Sequence, residues 1–343
     1  MYEKIWDFQN LLKAHQVARL GKRCEKAVIN FELRLSENIS YISRTLKNHT
    51  YKMADYYSFM IHDPKDRLIN ALHYRDRVVQ HCICDEVLAP VIDKILIYDN
   101  AACRPNKGTH FALNRLSYFF RDFYKINGNN SEGYILKCDI KKFFDNIDHE
   151  ILKQKLKNIF DDKELLSLLF QIIDSYEKTP DKGLPLGNQT SQWFAIYYLD
   201  SFDRLVKEKL RIKYYSRYMD DFILLYDDKD YLRYCLEVMR EYLGESLRLE
   251  FNAKTQIIHL KNGVNYLGFR FYLTKNGHVV RKLKKQTKLK FKKRLKFMKQ
   301  QYVERKINIE DIRQVIVSYI GHLKHGDTYW LLEENLNETI FQK

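Results

Sequence analysis

Apolar residues recur at helical spacing through the first fifty residues of the chain. Ile5, Phe8 and Leu12 follow one another at intervals of three and four, and the same interval returns from Val28 onward. Residues spaced in this way share one face of a helix. Residues 1–50 are therefore predicted to form an N-terminal helical extension.

Strand-like segments alternate with helical ones further along the chain. Asp63-Pro64 marks a turn, Asp148 is a helix N-cap residue, and Asn276-Gly277 is a strong hairpin signal. The mixture predicts an α+β fold. The predicted strands are 56–61, 134–140, 256–260 and 265–273, and the predicted helices are 77–97, 148–160, 190–210 and 230–243.

A pair of acids separates two strand-like segments. Residues 213–218 and 222–227 are rich in tyrosine and in large apolar residues, and Asp220-Asp221 lies between them. This pattern predicts a β-hairpin with the acids at its turn. Acids beside buried strands are costly unless they bind a cation. The other acidic pairs, Asp161-Asp162 and Asp227-Asp228, are interpreted as solvated turns.

Charge and composition narrow the class of protein. The chain has 343 residues and a net charge of +15, which is typical of proteins that bind nucleic acid. Residues 281–305 hold twelve Lys and Arg and a single acid, Glu304. Phe291, Leu295 and Met298 lie on one helical face there, so a basic amphipathic helix is predicted.

Cysteine usage and hydropathy bear on the compartment. The six cysteines form no disulfide framework, which favours reduced thiols. No segment is apolar enough for a membrane span, and no secretory signal is visible. We expect a cytoplasmic protein that does not insert into membranes.

The acids suggest one particular chemistry. Phosphodiester synthesis uses two divalent ions, and Mg²⁺ prefers oxygen ligands. Asp139 closes the predicted strand at 134–140, and Asp220-Asp221 occupies the predicted hairpin turn. An acid at a strand end beside an acidic hairpin would suit such a pair of ions.

In these segments the chain resembles the reverse transcriptases of bacteria. YMDD at 218–221 resembles their catalytic hairpin, and KCDIKKFFDNIDHEIL at 137–152 resembles their first catalytic block. The resemblance implies an RNA-templated DNA polymerase that uses dNTPs and two Mg²⁺ ions, with Mn²⁺ able to substitute, on a structured template RNA. It implies that the metal ligands are Asp139, Asp220, Asp221 and the backbone carbonyl of Ile140.

The same resemblance implies a right-hand polymerase architecture, with fingers, a palm built on an antiparallel sheet, and a helical thumb. Residues 51–133 would form the fingers and 134–280 the palm, with a fingers insertion near 160–185. Residues 281–343 would form the basic thumb.

Further site residues follow from the resemblance. Phe144, next to Phe143, would exclude a 2′-hydroxyl from the nucleotide site, and Lys254 would assist departure of pyrophosphate as a catalytic residue. The other implied substrate-binding residues are Lys65, Arg67, Leu186, Gly187 and Gln192. The implied nucleic-acid-binding residues are Arg104, Lys107, Tyr266, Leu267, Gly268, Lys284, Lys285, Lys292 and Lys293.

One motif points to a subtype. Leu186-Gly187 followed by Ser191-Gln192 resembles the enzymes of diversity-generating retroelements. That resemblance implies a small basic, oligomeric accessory protein and mutagenic copying of template adenines into cDNA. A short phage-defence reverse transcriptase, an RNA-making palm polymerase and a non-catalytic RNA-binding scaffold remain alternatives. Phe144 argues against the RNA-making polymerase, and the intact acids argue against the scaffold.

Overall fold

The computed structural model describes residues 1–62, 66–328 and Trp330. The predicted turn at Asp63-Pro64 and the candidate residue Lys65 lie outside this described part. The chain divides into two compact units. Unit 1 comprises Met1–Pro105, Asp139–Arg211 and Cys235–Ala253, and unit 2 comprises Asn106–Cys138, Ile212–Tyr234 and Lys254–Lys343.

Helices and strands alternate along the described residues. The helices are α1 (Glu3–Trp6), α2 (Phe8–Ala18), α3 (Lys26–Glu32), α4 (Leu35–Lys47), α5 (Tyr74–Ile83), α6 (Ala89–Ile95), α7 (Thr109–Ile126), α8 (Phe143–Asn146), α9 (His149–Lys157), α10 (Lys163–Asp174), α11 (Gln189–Tyr198), α12 (Asp200–Arg204), α13 (Lys229–Leu247), α14 (Lys285–Val303) and α15 (Ile309–Leu323). The strands are β1 (Tyr57–Ile61), β2 (Arg67–Ala71), β3 (Tyr134–Asp139), β4 (Tyr214–Tyr218), β5 (Asp221–Tyr226), β6 (Gln256–His259), β7 (Val264–Tyr266), β8 (Phe269–Leu273) and β9 (Val279–Leu283).

Unit 1 begins with the predicted helical extension, which is confirmed as four helices. Ile5, Val28 and Phe31 from the predicted apolar face are buried. The Asp7 carboxylate caps α2 by accepting from the backbone N–H of Asn10. Helix α2 packs against α5, and α1 packs against α4.

The predicted strand at 56–61 is confirmed as β1, which pairs antiparallel with β2. Beyond it, the predicted helix at 77–97 consists of α5, a π-helical segment at Cys84–Leu88, and α6. Helix α11 begins the predicted helix at 190–210 and is buried on nearly every side, so it lies in the core of unit 1. The Asp148 carboxylate caps α9 as predicted, accepting from the Ile151 N–H at 3.2 Å.

The main sheet of unit 2 has the strand order β4-β5-β3-β6. Strands β4 and β5 form the predicted hairpin, with Tyr218 opposite Asp221, and β3 pairs antiparallel with β6. Helix α7 supports β4 through the rings of Phe119 and Phe123, which pack on Tyr214. This helix lines one side of the sheet that carries the acidic hairpin.

A second sheet in unit 2 has the order β7-β8-β9. The predicted strand at 265–273 is broken into β7 and β8 because Leu267 and Gly268 both have positive φ angles, 43° and 92°. The basic helix begins at Lys285 instead of residue 281, because residues 279–283 pair with β8 as β9 and Lys284 is the N-cap.

The predicted apolar face of the basic helix is confirmed. Phe291 and Leu295 of α14 are buried against Leu323 of α15, and Tyr319 packs on Phe291 with ring centroids 4.4 Å apart. In the portion of the chain that the structure describes, no helix is both long and apolar enough to cross a bilayer.

Candidate active site

The acidic hairpin lies at the end of two buried strands. Residues 215–217 of β4 and 222–225 of β5 are buried, whereas Asp220 and Asp221 are half-buried. Met219 begins the turn with a φ of 56°, a left-handed conformation that costs free energy in a residue with a side chain. The turn thus places two carboxylates at the rim of an otherwise apolar element.

A buried arginine of β4 donates a hydrogen bond to this turn. Arg217 has no solvent exposure, and its Nη1 donates to the carbonyl oxygen of Met219 at 3.0 Å. Arg217 was not predicted as a site residue. The available signal was a cation within a strand rich in tyrosine.

A lysine contacts the second acid of the pair. Lys137 Nζ lies 3.3 Å from Asp221 Oδ2 and donates to the carbonyl oxygen of Asn265 at 2.7 Å. Burial lowers the pKa of Lys284, and the nearby Lys137 lowers it further, against the opposing influence of Asp221. Asp221 therefore lies among cations within unit 2. Lys137 was not predicted as a site residue.

The Tyr266 side chain, predicted to contact the primer, is buried in the structure. Its ring is fully buried in unit 2, and burial together with the Asp221 charge raises the pKa of its hydroxyl. The turn that follows it, at Leu267-Gly268, is partly exposed. The turn is therefore more accessible to nucleic acid than the Tyr266 ring.

Asp139 belongs to unit 1, where Asn252 holds it. Asn252 donates from its backbone N–H to the Asp139 carbonyl at 2.7 Å and from its side-chain Nδ2 to Oδ2 at 3.0 Å. Ile140 forms an isolated β-bridge with Phe251, and its side chain is buried, which leaves only its backbone for the expected ligand role. Asn252 was missed by the sequence analysis, because its relation to Asp139 is a long-range contact.

The two adjacent phenylalanines have different environments. Phe143, a predicted substrate contact, is 2% exposed and belongs to the core. Phe144 is half-buried, and its ring meets that of Phe143 edge-on with centroids 5.6 Å apart. The buried Phe143 ring thus packs against the Phe144 ring, which remains accessible.

Four of the predicted substrate-binding residues line two cavities of unit 1. Arg67 and Leu186 line a cavity of 200 Å³. Gly187 and Gln192 line another of 320 Å³, and the Cys103 thiol donates to Gln192 Oε1 at 3.1 Å. A Cβ on Gly187 would lie 3.3 Å from Ile69, which explains why a glycine suits this close approach.

The remaining cations differ in accessibility. The side chain of Arg104, predicted to bind nucleic acid, is 6% exposed and donates to Asp93 and to the carbonyls of Ile97 and Asn100. Lys107 is half-buried and lies over the Phe111 ring. Lys254 is exposed in the turn before β6.

The predicted thumb lysines separate into two groups. Lys285 and Lys293 are exposed on α14, and Lys292 is partly exposed. Lys284 instead occupies the N-cap position and is half-buried near Asp221. The exposed face of α14 can therefore meet an anionic partner, whereas Lys284 belongs to the surroundings of the hairpin.

Carboxylates are suitable ligands for a hard cation, but the described part of the chain does not bring many of them together at one place. Among residues 1–62, 66–328 and 330, no three His, Cys, Asp or Glu side chains are grouped so as to hold a metal ion. Any divalent ion at the hairpin would need further oxygen ligands from backbone, water or substrate.

Solved structures with the same fold define the general class. The telomerase of Candida albicans, solved with a TWJ fragment of telomeric RNA, matches at a TM-score of 0.53 and 13% identity over 73% of this chain and 49% of that one. Apo telomerase from Candida tropicalis matches at a TM-score of 0.51 and 14% identity, over 74% and 53%. With its helices and antiparallel sheets, the chain has the right-hand polymerase fold.

Sequence comparison then identifies the family. The family described as "Reverse transcriptase (RNA-dependent DNA polymerase)" matches residues 62–271. The group II intron-encoded protein LtrA of Lactococcus lactis subsp. cremoris is 22% identical over an alignment that covers 73% of this chain. The chain therefore belongs to the reverse transcriptase family. It spans about half, 53%, of the length of that curated relative.

Proposed function

We propose that the chain synthesises DNA on an RNA template by two-metal phosphoryl transfer. The observation that carries the proposal is the half-buried pair Asp220 and Asp221 at the end of a buried hairpin in a member of this family. Acids in such a position are costly unless a cation compensates them. A cation, the Lys137 ammonium, already lies 3.3 Å from Asp221.

The donor set fits Mg²⁺, with Mn²⁺ as a substitute. Mg²⁺ is usually held by one or two carboxylates, with substrate phosphates and water completing its shell, so a closed protein cage is not required. Asp220 and Asp221 would supply the hairpin ligands. We propose Asp139 and the carbonyl of Ile140 as further ligands, because Asp139 ends β3, the strand next to β5 in the sheet order. When bound, the ions would activate the primer 3′-hydroxyl and neutralise the triphosphate.

Other residues would position the substrates. Asn252 orients the Asp139 carboxylate through its Nδ2 at 3.0 Å. Lys254, exposed before β6, would approach leaving pyrophosphate, and Arg67, exposed on β2, would approach the phosphates. The half-buried ring of Phe144 would exclude a 2′-hydroxyl. Exposed lysines of α14 would hold the template–primer duplex by its phosphates.

A matched pair of variants tests the proposal. Asp221→Asn keeps the shape of the side chain and removes its charge, and primer extension on RNA with dNTPs should fall by about a thousandfold or more. Asp227→Asn changes an exposed acid just beyond the other end of β5 and should stay within about twofold of wild type. Full synthesis by Asp221→Asn would refute the proposed metal site, whereas a wild-type protein that binds RNA without extending the primer would favour the non-catalytic RNA-binding scaffold.

We further propose that the enzyme serves a diversity-generating retroelement, with a small basic accessory protein. The support is Leu186-Gly187 and Ser191-Gln192, together with the Cys103 thiol that fixes the Gln192 amide beside the 320 Å³ cavity. Frequent misincorporation opposite template adenines, but not opposite the other three bases, is the expected result. Uniform fidelity across the four bases would favour the alternative of a short phage-defence reverse transcriptase.

A further inference from the structure

The main sheet of unit 2 brings the Lys137 side chain next to Asp221. It lies on β3 next to β5, and its Nζ is 3.3 Å from Asp221 Oδ2. The two side chains are only 22% and 24% exposed. The pair is thus more confined than an ordinary surface ion pair, and both groups are held by buried strands.

The ammonium has a second partner that does not depend on Asp221. It donates to the backbone carbonyl of Asn265 at 2.7 Å, the shorter of its two contacts. Asn265 lies in β7, so this acceptor is fixed by the second sheet of unit 2. An ammonium has three donors, and one of them remains satisfied if the carboxylate is given up.

The surroundings of Asp221 are more positive than one pair suggests. Lys284 is half-buried at the start of α14 and senses both Lys137 and Asp221. A divalent ion bound to the Asp221 carboxylate would be repelled by the Lys137 ammonium, because both are positive and would lie close together. This repulsion exceeds the modest attraction between Lys137 and Asp221, which form a partly exposed pair. The lysine and a divalent ion therefore compete for Asp221.

We propose that Lys137 is a resident counter-cation of Asp221, which holds the carboxylate in the metal-free enzyme and must release it before a divalent ion binds. This inference rests on the proposed metal site. The ammonium would remain on the Asn265 carbonyl. Divalent ions should consequently bind the free protein weakly, and binding should tighten when the negative triphosphate arrives and offsets the charge of Lys137 and Lys284.

Binding of Mn²⁺ alone to the nucleic-acid-free protein tests this competition. Free Mn²⁺ is measured by electron paramagnetic resonance, and the shift in unfolding temperature with Mg²⁺ is followed in parallel. Lys137→Met removes the charge and keeps a long side chain, and it should bind Mn²⁺ about three- to tenfold more tightly than wild type. Lys137→Arg, which keeps the charge, should stay within about twofold of wild type or bind more weakly.

The control removes a comparable ion pair elsewhere in unit 2. Lys213 pairs with Asp122 at 2.8 Å just before β4, so Lys213→Met should leave Mn²⁺ affinity unchanged. Equal or weaker Mn²⁺ binding by Lys137→Met would overturn the inference and leave the lysine as a tie between β3 and β7. Should Lys137→Met not unfold cooperatively, Lys137→Gln takes its place under the same criterion.

Asp221→Asn separates this inference from the proposed function. If that variant loses Mn²⁺ binding and DNA synthesis while Lys137→Met binds as wild type does, only the competition is refuted. If Asp221→Asn binds Mn²⁺ and synthesises DNA as wild type does, the proposed metal site fails, and the inference fails with it.

Discussion

The guanidinium of Arg217 donates to the carbonyl of Met219 at 3.0 Å from a position without solvent exposure. Met219 has a φ of 56°, so a buried cation holds the strained residue that precedes Asp220. A buried arginine loses its hydrogen bonds to water and must replace them with hydrogen bonds to the protein. Its position in β4 therefore links the stability of the sheet to the geometry of the acids.

We expect Arg217→Met to lower the free energy of unfolding by about 2–4 kcal/mol, because the variant breaks a buried network and leaves acceptors unsatisfied. Primer extension should fall as well, since the turn is no longer fixed. Urea unfolding followed by circular dichroism measures the first effect. Arg233→Met is the control, because Arg233 is 60% exposed and pairs with Asp230 on the same helix. Equal stability of the two variants would contradict this role.

The sequence predicted those features that local pattern determines. The acidic hairpin, the Asp148 cap and the apolar face of α14 each depend on residues within a few positions of one another. Helix α7 was missed although its signal was present, since Leu113, Leu116 and Phe120 recur at helical spacing and are buried.

Features that depend on distant partners were not predictable in the same way. Lys137 and Asp221 are 84 positions apart, and Asn252 lies 113 positions from Asp139. Arg104 looks like a surface cation until its buried acceptors are known. The burial of Tyr266 likewise follows from how the second sheet packs in unit 2, which its own pattern does not reveal.

The contrast between two adjacent rings leads to a prediction about sugar selection. Phe144 is accessible and Phe143 is core, so Phe144→Ala should raise incorporation of NTP relative to dNTP by about tenfold or more. Single-nucleotide extension with matched NTP and dNTP measures the ratio. Phe143→Leu should keep the selection and reduce stability by about 1 kcal/mol. An unchanged ratio in Phe144→Ala would place the steric barrier elsewhere.

Asp148 gives a prediction for the pH dependence of stability. Burial raises the pKa of its carboxyl, but the Arg248 guanidinium at 2.8 Å and the Ile151 N–H outweigh burial, so the pKa lies below the ordinary value of 3.8. A carboxyl with a lowered folded pKa stabilises the protein above pH 3.8. That contribution disappears as the pH falls through the folded pKa.

Asp148→Asn retains a good N-cap residue while removing the charge, so its effect reports mainly on the pair with Arg248. We expect a loss of about 1–2 kcal/mol at pH 7, and the difference from wild type should shrink as the pH falls below about 4. Urea unfolding at several pH values measures it. Asp230→Asn, at an 81% exposed acid, should show almost no difference. A loss that is independent of pH would assign the effect to packing.

The exposed lysines of α14 give the most direct test of how nucleic acid is held. Lys285 and Lys293 are exposed, whereas the helix packs through Phe291, Leu295 and Met298. The double variant Lys285→Gln with Lys293→Gln should therefore keep the free energy of unfolding within about 0.5 kcal/mol of the wild-type value. If both lysines contact phosphates, the slope of log affinity against log salt should become less steep by about 1.5, because each phosphate contact contributes about 0.7–0.9. Fluorescence anisotropy with a primed RNA over a salt series measures this slope. Lys163→Gln with Lys209→Gln removes the same charge from exposed positions of unit 1 and should leave the slope nearly unchanged. Equal slopes for the two double variants would show that this face of α14 does not meet the duplex.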